Sequence, residues 1–283
     1  MILPRRSVSA AEVADHYDDL DWAYRGIWGE HLHHGLWLTG RETVDQAVRA
    51  LVDRVADRAA IGRGDAVCDV GCGYGATARH LRRTRGAKVT GITLSASQFE
   101  AAARIGGTLD GVEIRLGDWM ENGLPSACFD AAVAIESTEH MADKERCFAE
   151  VRRVLRPGGR FAVAAWLAAE RPRSWEVRHL LEPICAEGRL WGMGSAADYR
   201  RLLESSGLAL REEEDLTRRV KRTWSVCIRR SLWRVCRDRR LREYLLAPAH
   251  RSRNRDFLRA LFRIRLAYET GAMRYGLFAA VRE

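Results

Sequence analysis

A chain of 283 residues with 47 % hydrophobic side chains is long enough for one large domain or two small ones and can bury a sizeable core, which excludes intrinsic disorder as a description of the whole. Lysine and arginine number 47 against 38 acidic residues, a net charge of +9, so an anionic partner such as nucleic acid, a membrane surface or a phosphorylated substrate has to be weighed. Only Lys88, Lys144 and Lys221 are lysines. A GC-rich genome produces such a bias unaided, so its meaning depends on whether the charge is spread or gathered.

Arg5 and Arg6 precede no apolar run of signal-peptide length, and no uncharged apolar stretch approaches a membrane span, which predicts a soluble, cytoplasmic protein without membrane insertion. The seven cysteines show no CxxC spacing and read as reduced and structural. His31-Leu32-His33-His34 lacks a carboxylate or cysteine at ligand spacing, so no metal is expected.

In chain order, residues 11–60 read as helical, and their Tyr17, Trp22, Tyr24, Trp28 and Trp37 need something apolar to cover. From residue 65 to 167, short apolar runs alternate with helical patterns. Strands are expected at 66–70, 88–93, 112–116, 129–135 and 160–166, with helices at 77–85, from Ser95 onward and at 144–155. Arg156-Pro157-Gly158-Gly159 breaks the last of these. Such alternation argues for a parallel sheet covered by helices on both faces. A polar segment at 171–194 leads to a helix capped by Ser195, a strand near 208–217 and a last strand at 275–281. The helical stretch 218–273 is too long for a simple connection. Together with 171–194 it reads as a lid over the carboxyl edge of the sheet. The resulting division is a covering segment (1–60), a binding core (61–170), lid insertions (171–194 and 218–273) and the remaining core (195–217 and 274–283).

Asp69-Val70-Gly71-Cys72-Gly73-Tyr74-Gly75 follows a strand and opens a helix, where glycines permit a tight turn and close approach of a ligand. The spacing departs from the dinucleotide fingerprint, and no lysine follows to make a phosphate loop. A carboxylate just before the glycines would repel a pyrophosphate but suits a ligand carrying a cation and hydroxyls. S-adenosylmethionine (SAM) has a sulfonium, an ammonium and a ribose, and fits that charge logic better than NAD.

These residues, with Gly91-Ile92-Thr93-Leu94-Ser95, Gly117-Asp118-Trp119 and Leu155-Arg156-Pro157-Gly158-Gly159, resemble the class I SAM-dependent methyltransferases from Tyr17 to Val281. Trp28-Gly29-Glu30-His31-Leu32-His33-His34-Gly35 and Glu136-Ser137-Thr138-Glu139-His140-Met141 further resemble the tocopherol C-methyltransferase-like group. That group includes plant alkaloid N-methyltransferases and is similar to bacterial sugar O-methyltransferases and mycolic acid cyclopropane synthases. The resemblance implies a Rossmann-like, seven-stranded doubly wound α/β sheet with N-terminal helices and a helical lid. It implies that Asp69 and the Gly71, Gly73 and Gly75 backbone hold the amino acid end of SAM, that Thr93, Leu94 and Gln98 meet the ribose, and that Asp118 meets the adenine amino group with Trp119 against the ring. The second strand of the family commonly ends in an acidic residue; Thr93 replaces it here, as is typical of the resembled group. Tyr17, His33 and Glu136 would complete the cofactor site.

The loop after the fourth strand faces the methyl group in this fold, which makes Glu139 the expected general base, or a carboxylate that stabilises a carbocation when the acceptor is an alkene, with His140 the second candidate. Sugar O-methyltransferases often carry a histidine pair there, which Glu139 breaks, so carbon is favoured over oxygen and nitrogen. Trp28, His34, Trp166 and Tyr275 are expected around a small, partly apolar acceptor. Glu212-Glu213-Glu214-Asp215 reads as a solvated strand edge. Nucleic-acid modification is the competing reading, carried by residues 218–242 with Trp224 and Trp233; against it, no RNA-binding module flanks the core. A relative that has lost methyl transfer and serves in binding or cyclisation is a third. Monomer and homo-oligomer both stay open.

The charge proves to be gathered. Residues 1–170 hold 21 basic and 24 acidic side chains, whereas residues 171–283 hold 26 and 14. Within 218–265, 17 basic residues face only Asp238, Glu243 and Asp256. The lid arginines, Arg218, Arg219 and Arg222 among them, are therefore expected to receive an anionic acceptor or to face a partner subunit or a membrane.

Overall fold

The computed structural model describes residues 1–4, 8–106, 109–246 and 251–283. Arg5 and Arg6, and the side chains of Trp22 and Tyr24, lie outside the described residues.

Seven strands form one sheet in the order β3-β2-β1-β4-β5-β7-β6. They are β1 (Ala66–Val70), β2 (Lys88–Thr93), β3 (Val112–Leu116), β4 (Phe129–Ile135), β5 (Leu155–Ala168), β6 (Leu208–Asp215) and β7 (Met273–Arg282). β1 to β5 run parallel and β7 is antiparallel to both of its neighbours. The fold is therefore the seven-stranded doubly wound sheet expected of a class I methyltransferase. Its strand order reverses between β1 and β4, and ligands in open α/β sheets bind beyond the carboxyl ends of strands at such a point.

Helices cover both faces. On one side α2 (Val44–Arg58), α3 (Ala76–Arg85) and the lid bury Leu51, Val55, Leu81, Leu181, Trp224 and Tyr268. On the other, α5 (Lys144–Val154) and α8 (Ala196–Ser205) bury Phe148, Phe161, Tyr199 and Phe278. α4 (Ala96–Gly106) starts where Ser95 Oγ accepts from the Gln98 N–H at 3.1 Å, and α8 starts at a capping box of Ser195 and Asp198.

Two segments differ from the sequence reading. Residues 11–60 are not one helical stretch: α1 (Ala10–Ile27) and α2 are separated by an extended loop that carries His31, His33 and His34. Glu42 holds this loop open by accepting backbone N–H bonds from Leu38, Thr39 and Gly40, and α2 begins anew at the Thr43–Gln46 capping box. β5 starts at Leu155 rather than Arg160, because a register shift opposite Phe129 and Ala131 absorbs the Arg156-Pro157-Gly158-Gly159 turn within the strand.

The segments expected to form a lid contain α6 (Ser174–Glu176), a π turn at Val177–Leu181, α7 (Glu182–Glu187), α9 (Thr217–Val220), α10 (Arg222–Arg237), α11 (Arg239–Leu246) and α12 (Arg251–Thr270). Among the described residues no helix is long and apolar enough to cross a membrane, and no group of histidines, cysteines and carboxylates could hold a metal ion.

Candidate active site

Two cavities open above the carboxyl edge of the sheet. The smaller, about 180 Å³, is lined by Asp69, Gly71, Gly73, Thr93, Leu94, Gln98, Asp118 and Trp119, with His31 and His33 from the loop after α1. The larger, about 470 Å³, is lined by Trp28, His34, Glu139, Trp166 and Trp224, with Leu261 and Ile264 of α12. Tyr17, Leu32, Glu136 and His140 belong to both and form the wall at which the cavities meet.

The glycine loop shapes the smaller cavity. Gly71 has φ +75°, and a Cβ there would lie 2.4 Å from Ser137 Cβ. Its absence lets the loops after β1 and β4 close on each other, with Ser137 Oγ donating to the Val70 carbonyl at 2.5 Å. Around Gly73 the nearest atom to a built Cβ is Gln98 Oε1 at 3.9 Å, so its backbone is open to a ligand. Gly75 is the left-handed residue that opens α3; it does not line the cavity, because Ile114 packs against it. Arg79 donates to the Tyr74 carbonyl at 2.7 Å and pairs with Glu30, fixing the loop from behind.

Asp69 is buried, its carboxyl is pushed up to about 7 by that burial, and its Oδ2 has no hydrogen-bond partner among the described residues. Thr93 Oγ1 donates to Gln98 Oε1 at 2.9 Å, which aligns both side chains along one wall. Asp118 caps the short turn Trp119–Glu121, while the Trp119 indole N–H is spent on the Cys147 carbonyl, leaving its ring as a fixed apolar surface.

α1 crosses the mouth of both cavities and is tied to their rims. Tyr74 donates to Asp21 Oδ1 at 2.5 Å, Asp18 accepts from Ser95 and from the Ser97 N–H, and the Tyr17 hydroxyl meets His140 Nε2 at 2.9 Å. His140 Nδ1 faces the Arg189 carbonyl, so hydrogen-bond logic assigns the proton to Nδ1 and leaves Nε2 to accept from Tyr17. Burial holds this imidazole down at about 4.

The loop after β4 carries two carboxylates in different settings. Glu136 adopts φ +53°, a conformation that costs a non-glycine residue energy and persists only where the surroundings impose it. Four donors impose it: the His34 N–H at 2.7 Å, His34 Nδ1 at 3.0 Å, the Trp166 indole N–H at 2.6 Å and the Tyr275 hydroxyl at 2.8 Å. His34 Nε2 accepts from the Trp224 indole, which can only donate, so the proton on Nδ1 points at Glu136. Burial alone would raise the Glu136 carboxyl, but the His34 imidazole and its N–H bring it down to about 2. Glu139, 1 % exposed, faces only the larger cavity. It accepts from the Trp166 backbone N–H at 2.5 Å and, at 3.2 Å, from the Thr138 hydroxyl. Burial dominates, and its carboxyl is raised to about 7.

Residues 68–163 match the family model for a methyltransferase domain. A 27-O-demethylrifamycin SV methyltransferase of Amycolatopsis mediterranei is 33 % identical over 222 residues, which cover 76 % of this chain and 79 % of the relative. The chain belongs to the class I SAM-dependent small-molecule methyltransferases. The chloroplastic tocopherol O-methyltransferase of Arabidopsis thaliana is 30 % identical over 78 % of this methyltransferase and 69 % of its own length. The solved structure of the [4+2]-cyclase SpnF superposes over 100 % of this chain and 99 % of its own, with a TM-score of 0.81 and 26 % identity.

SAM is the cofactor, and the smaller cavity fits it: an unpartnered buried carboxylate oxygen awaits a cation, and the glycine backbone leaves room for close approach. Most of the sequence-predicted residues converge on the two cavities. Tyr275 is an exception; it reaches neither cavity and instead supports Glu136 from behind, as Gly75 supports the loop. Arg218, Arg219 and Arg222 line neither cavity: Arg219 uses its carbonyl on the Trp37 N–H, and Arg222 lies over the Trp37 ring. Three contributors escaped sequence reading. His31 sits in the smaller cavity and contacts His33 Nε2 at 3.1 Å; Trp224 closes the aromatic wall and bonds His34; Glu187 lines the larger cavity with Oε1 on Arg263 and a buried Oε2 that has no partner among the described residues. The His31 motif carried a signal for its residue, whereas Trp224, read from the sequence as part of a nucleic-acid-facing surface, is buried.

Proposed function

We propose that this methyltransferase binds SAM in the smaller cavity and methylates a small, largely apolar metabolite in the larger one, with Glu139 as the residue that manages charge at the acceptor. When bound, SAM supplies an electrophilic methyl group on a sulfonium. Asp69 receives the ammonium and the Gly71 and Gly73 backbone the rest of the amino acid end; Thr93, Leu94 and Gln98 hold the ribose; Asp118 and Trp119 hold the adenine. Tyr17, His33 and Glu136 close the cavity and align the transfer.

The observation that carries this reading is the shared wall of Tyr17, Leu32, Glu136 and His140, with Glu139 on the acceptor side alone. An in-line transfer needs two ligands meeting at one point in a water-poor site. Trp28, Trp166 and Trp224 give the acceptor an apolar, aromatic surface, with His34 beneath it. Glu139, whose carboxyl titrates near 7, takes the proton from an O–H or N–H acceptor as the methyl arrives. With an alkene acceptor, the ionised carboxylate faces the developing carbocation and then removes the proton that restores the double bond. His140 positions the wall through Tyr17. The orphan Glu187 Oε2 favours acceptors that also present a hydroxyl or amine hydrogen to the far side of the cavity.

Carbon is the favoured acceptor atom, because Glu139 stands where a histidine pair would serve O-methylation and aromatic rings surround it. Oxygen is the second reading, supported by the O-methyltransferase name of the Arabidopsis relative. Methyl-labelled SAM, incubated with prenylated phenols, macrolactones and acyclic terpenoid alkenes, distinguishes them by mass spectrometry of the labelled product. Asp69→Ala should weaken SAM binding by at least about tenfold, the effect of losing a charge-assisted bond. Unchanged SAM affinity in that variant, or SAM binding with no acceptor labelled, would overturn the assignment.

A further inference from the structure

We infer that the outer face of the lid formed by α10 and α12 docks on an anionic phospholipid surface. The two helices lie antiparallel: Lys221 pairs with Glu269, and Arg265 donates to Ser225. One turn further along, the same antiparallel register sets the turn of α12 that carries Phe262 beside the turn of α10 that carries Ile228. Each helix has two working faces. The inner faces supply Trp224, Ala260, Leu261 and Ile264 to the acceptor cavity. The outer faces leave large apolar side chains in water: Leu232 is 51 % exposed, Trp233 58 %, Phe262 53 % and Leu266 49 %. A soluble surface rarely gathers four such residues without a use.

Arginines flank this strip. Arg229, Leu232, Trp233, Cys236 and Arg237 recur at helical spacing and form one exposed row of α10, and Arg259, Phe262 and Leu266 form a row of α12. Arg229 and Arg259 make no ion pair with the described residues, and the Arg237 guanidinium lies 4.8 Å over the Trp233 ring. Cationic heads around apolar side chains match an interface of anionic headgroups over acyl chains, into which tryptophan and leucine insert while arginine stays at headgroup level. A second copy fits poorly, because a two-fold contact of this face with itself would set Arg229, Arg237 and Arg259 against like charges. Nucleic acid would engage the arginines but leave the leucine and phenylalanine row without a counterpart. The arrangement also has a use: a sparingly soluble acceptor held in the bilayer would lie one helix thickness from the cavity that α10 and α12 wall.

Cosedimentation of the full chain with phosphatidylcholine vesicles, with and without phosphatidylglycerol, tests this without any acceptor. Binding is expected only with phosphatidylglycerol and should weaken with salt. Arg229→Gln and Arg259→Gln should each lower the partition coefficient by about fivefold, and Trp233→Ser with Phe262→Ser should abolish insertion. All variants should keep the wild-type melting temperature and SAM affinity, since none touches either cavity. Equal binding to both vesicle types, no binding, or vesicle binding unaffected by these substitutions would overturn the proposal. So would light scattering that shows a dimer made monomeric by Trp233→Ser and Phe262→Ser, or capture by RNA that depends on the same residues in the absence of vesicle binding.

Discussion

Replacing Glu139 by glutamine separates the catalytic role proposed for it from its cost to the fold. In the folded chain its carboxyl titrates near 7 rather than 4.5, chiefly because burial disfavours the charged form. The native state therefore holds this proton more tightly than the unfolded chain does. The stability it contributes is complete below about 4.5 and is lost as pH rises through about 7, reaching a cost on the order of 3 kcal/mol above that range. Glutamine imitates the protonated carboxyl at every pH and keeps an acceptor for the Trp166 N–H. The variant should therefore match the wild type near pH 5 and melt roughly 5 °C higher near pH 8, as that free energy implies for a domain of this size. Thermal unfolding followed by circular dichroism at both pH values gives the difference directly, and common effects of other groups cancel. Methyl transfer to a proton-bearing acceptor should rise with pH through about 7 in the wild type and be lost in the variant. A melting-temperature difference that does not change between the two pH values would refute the claim that Glu139 is buried as a proton-holding acid.

Glu136→Gln should be the opposite kind of substitution: an amide nitrogen would confront two of the four donors, and a loss of about 3–5 kcal/mol should appear as a lower unfolding midpoint in denaturant. Tyr17→Phe removes the bond to His140 Nε2, worth about 1 kcal/mol, and should raise KM for both ligands roughly fivefold while leaving the melting curve nearly unchanged. Gly71→Ala must place a Cβ against Ser137 at a left-handed φ; titration calorimetry should show SAM binding reduced by at least about tenfold, with about 1–3 kcal/mol of stability lost.

The core of the fold was legible because its cues are local. Apolar runs bounded by Gly71 and Gly117 mark strand ends, and Ser95 and Ser195 announce helix starts with their own hydroxyls. The loop at residues 28–43 was misread as helix because its extended course depends on Glu42 reaching back to three N–H groups, which no periodicity reveals. Asp69, at the end of β1, and Glu139, in the loop after β4, could be placed beside the cavities from their sequence neighbours. Trp224 and Glu187 could not, since each arrives from the lid through packing between segments far apart in sequence. Tyr275 was correctly drawn to the region and wrongly to the cavity, because which face of β7 meets Glu136 is decided by register with β5.

The same distinction between local and assembled features explains how one short loop supports two carboxylates of opposite character. Glu136 and Glu139 lie three residues apart, and with the Glu136 side chain 6 % exposed and Glu139 1 %, depth alone cannot separate them. What separates them is the number of donors delivered from elsewhere: His34, Trp166 and Tyr275 converge on Glu136 from the loop after α1, from β5 and from β7, whereas Glu139 receives one short backbone bond and one long hydroxyl bond. A carboxylate with all its lone pairs occupied is a fixed charge that shapes the wall between two ligands. One with spare acceptor capacity and a raised proton affinity can exchange a proton with an acceptor, and pairs of titratable groups pushed apart in this way are how one site divides structural and chemical roles. The aromatic donors around Glu136 are thus part of the chemistry proposed for Glu139. By holding the Glu136 charge in place, they add to the proton affinity of its neighbour, so that loss of any one of them should move the pH profile of methyl transfer before it moves SAM binding.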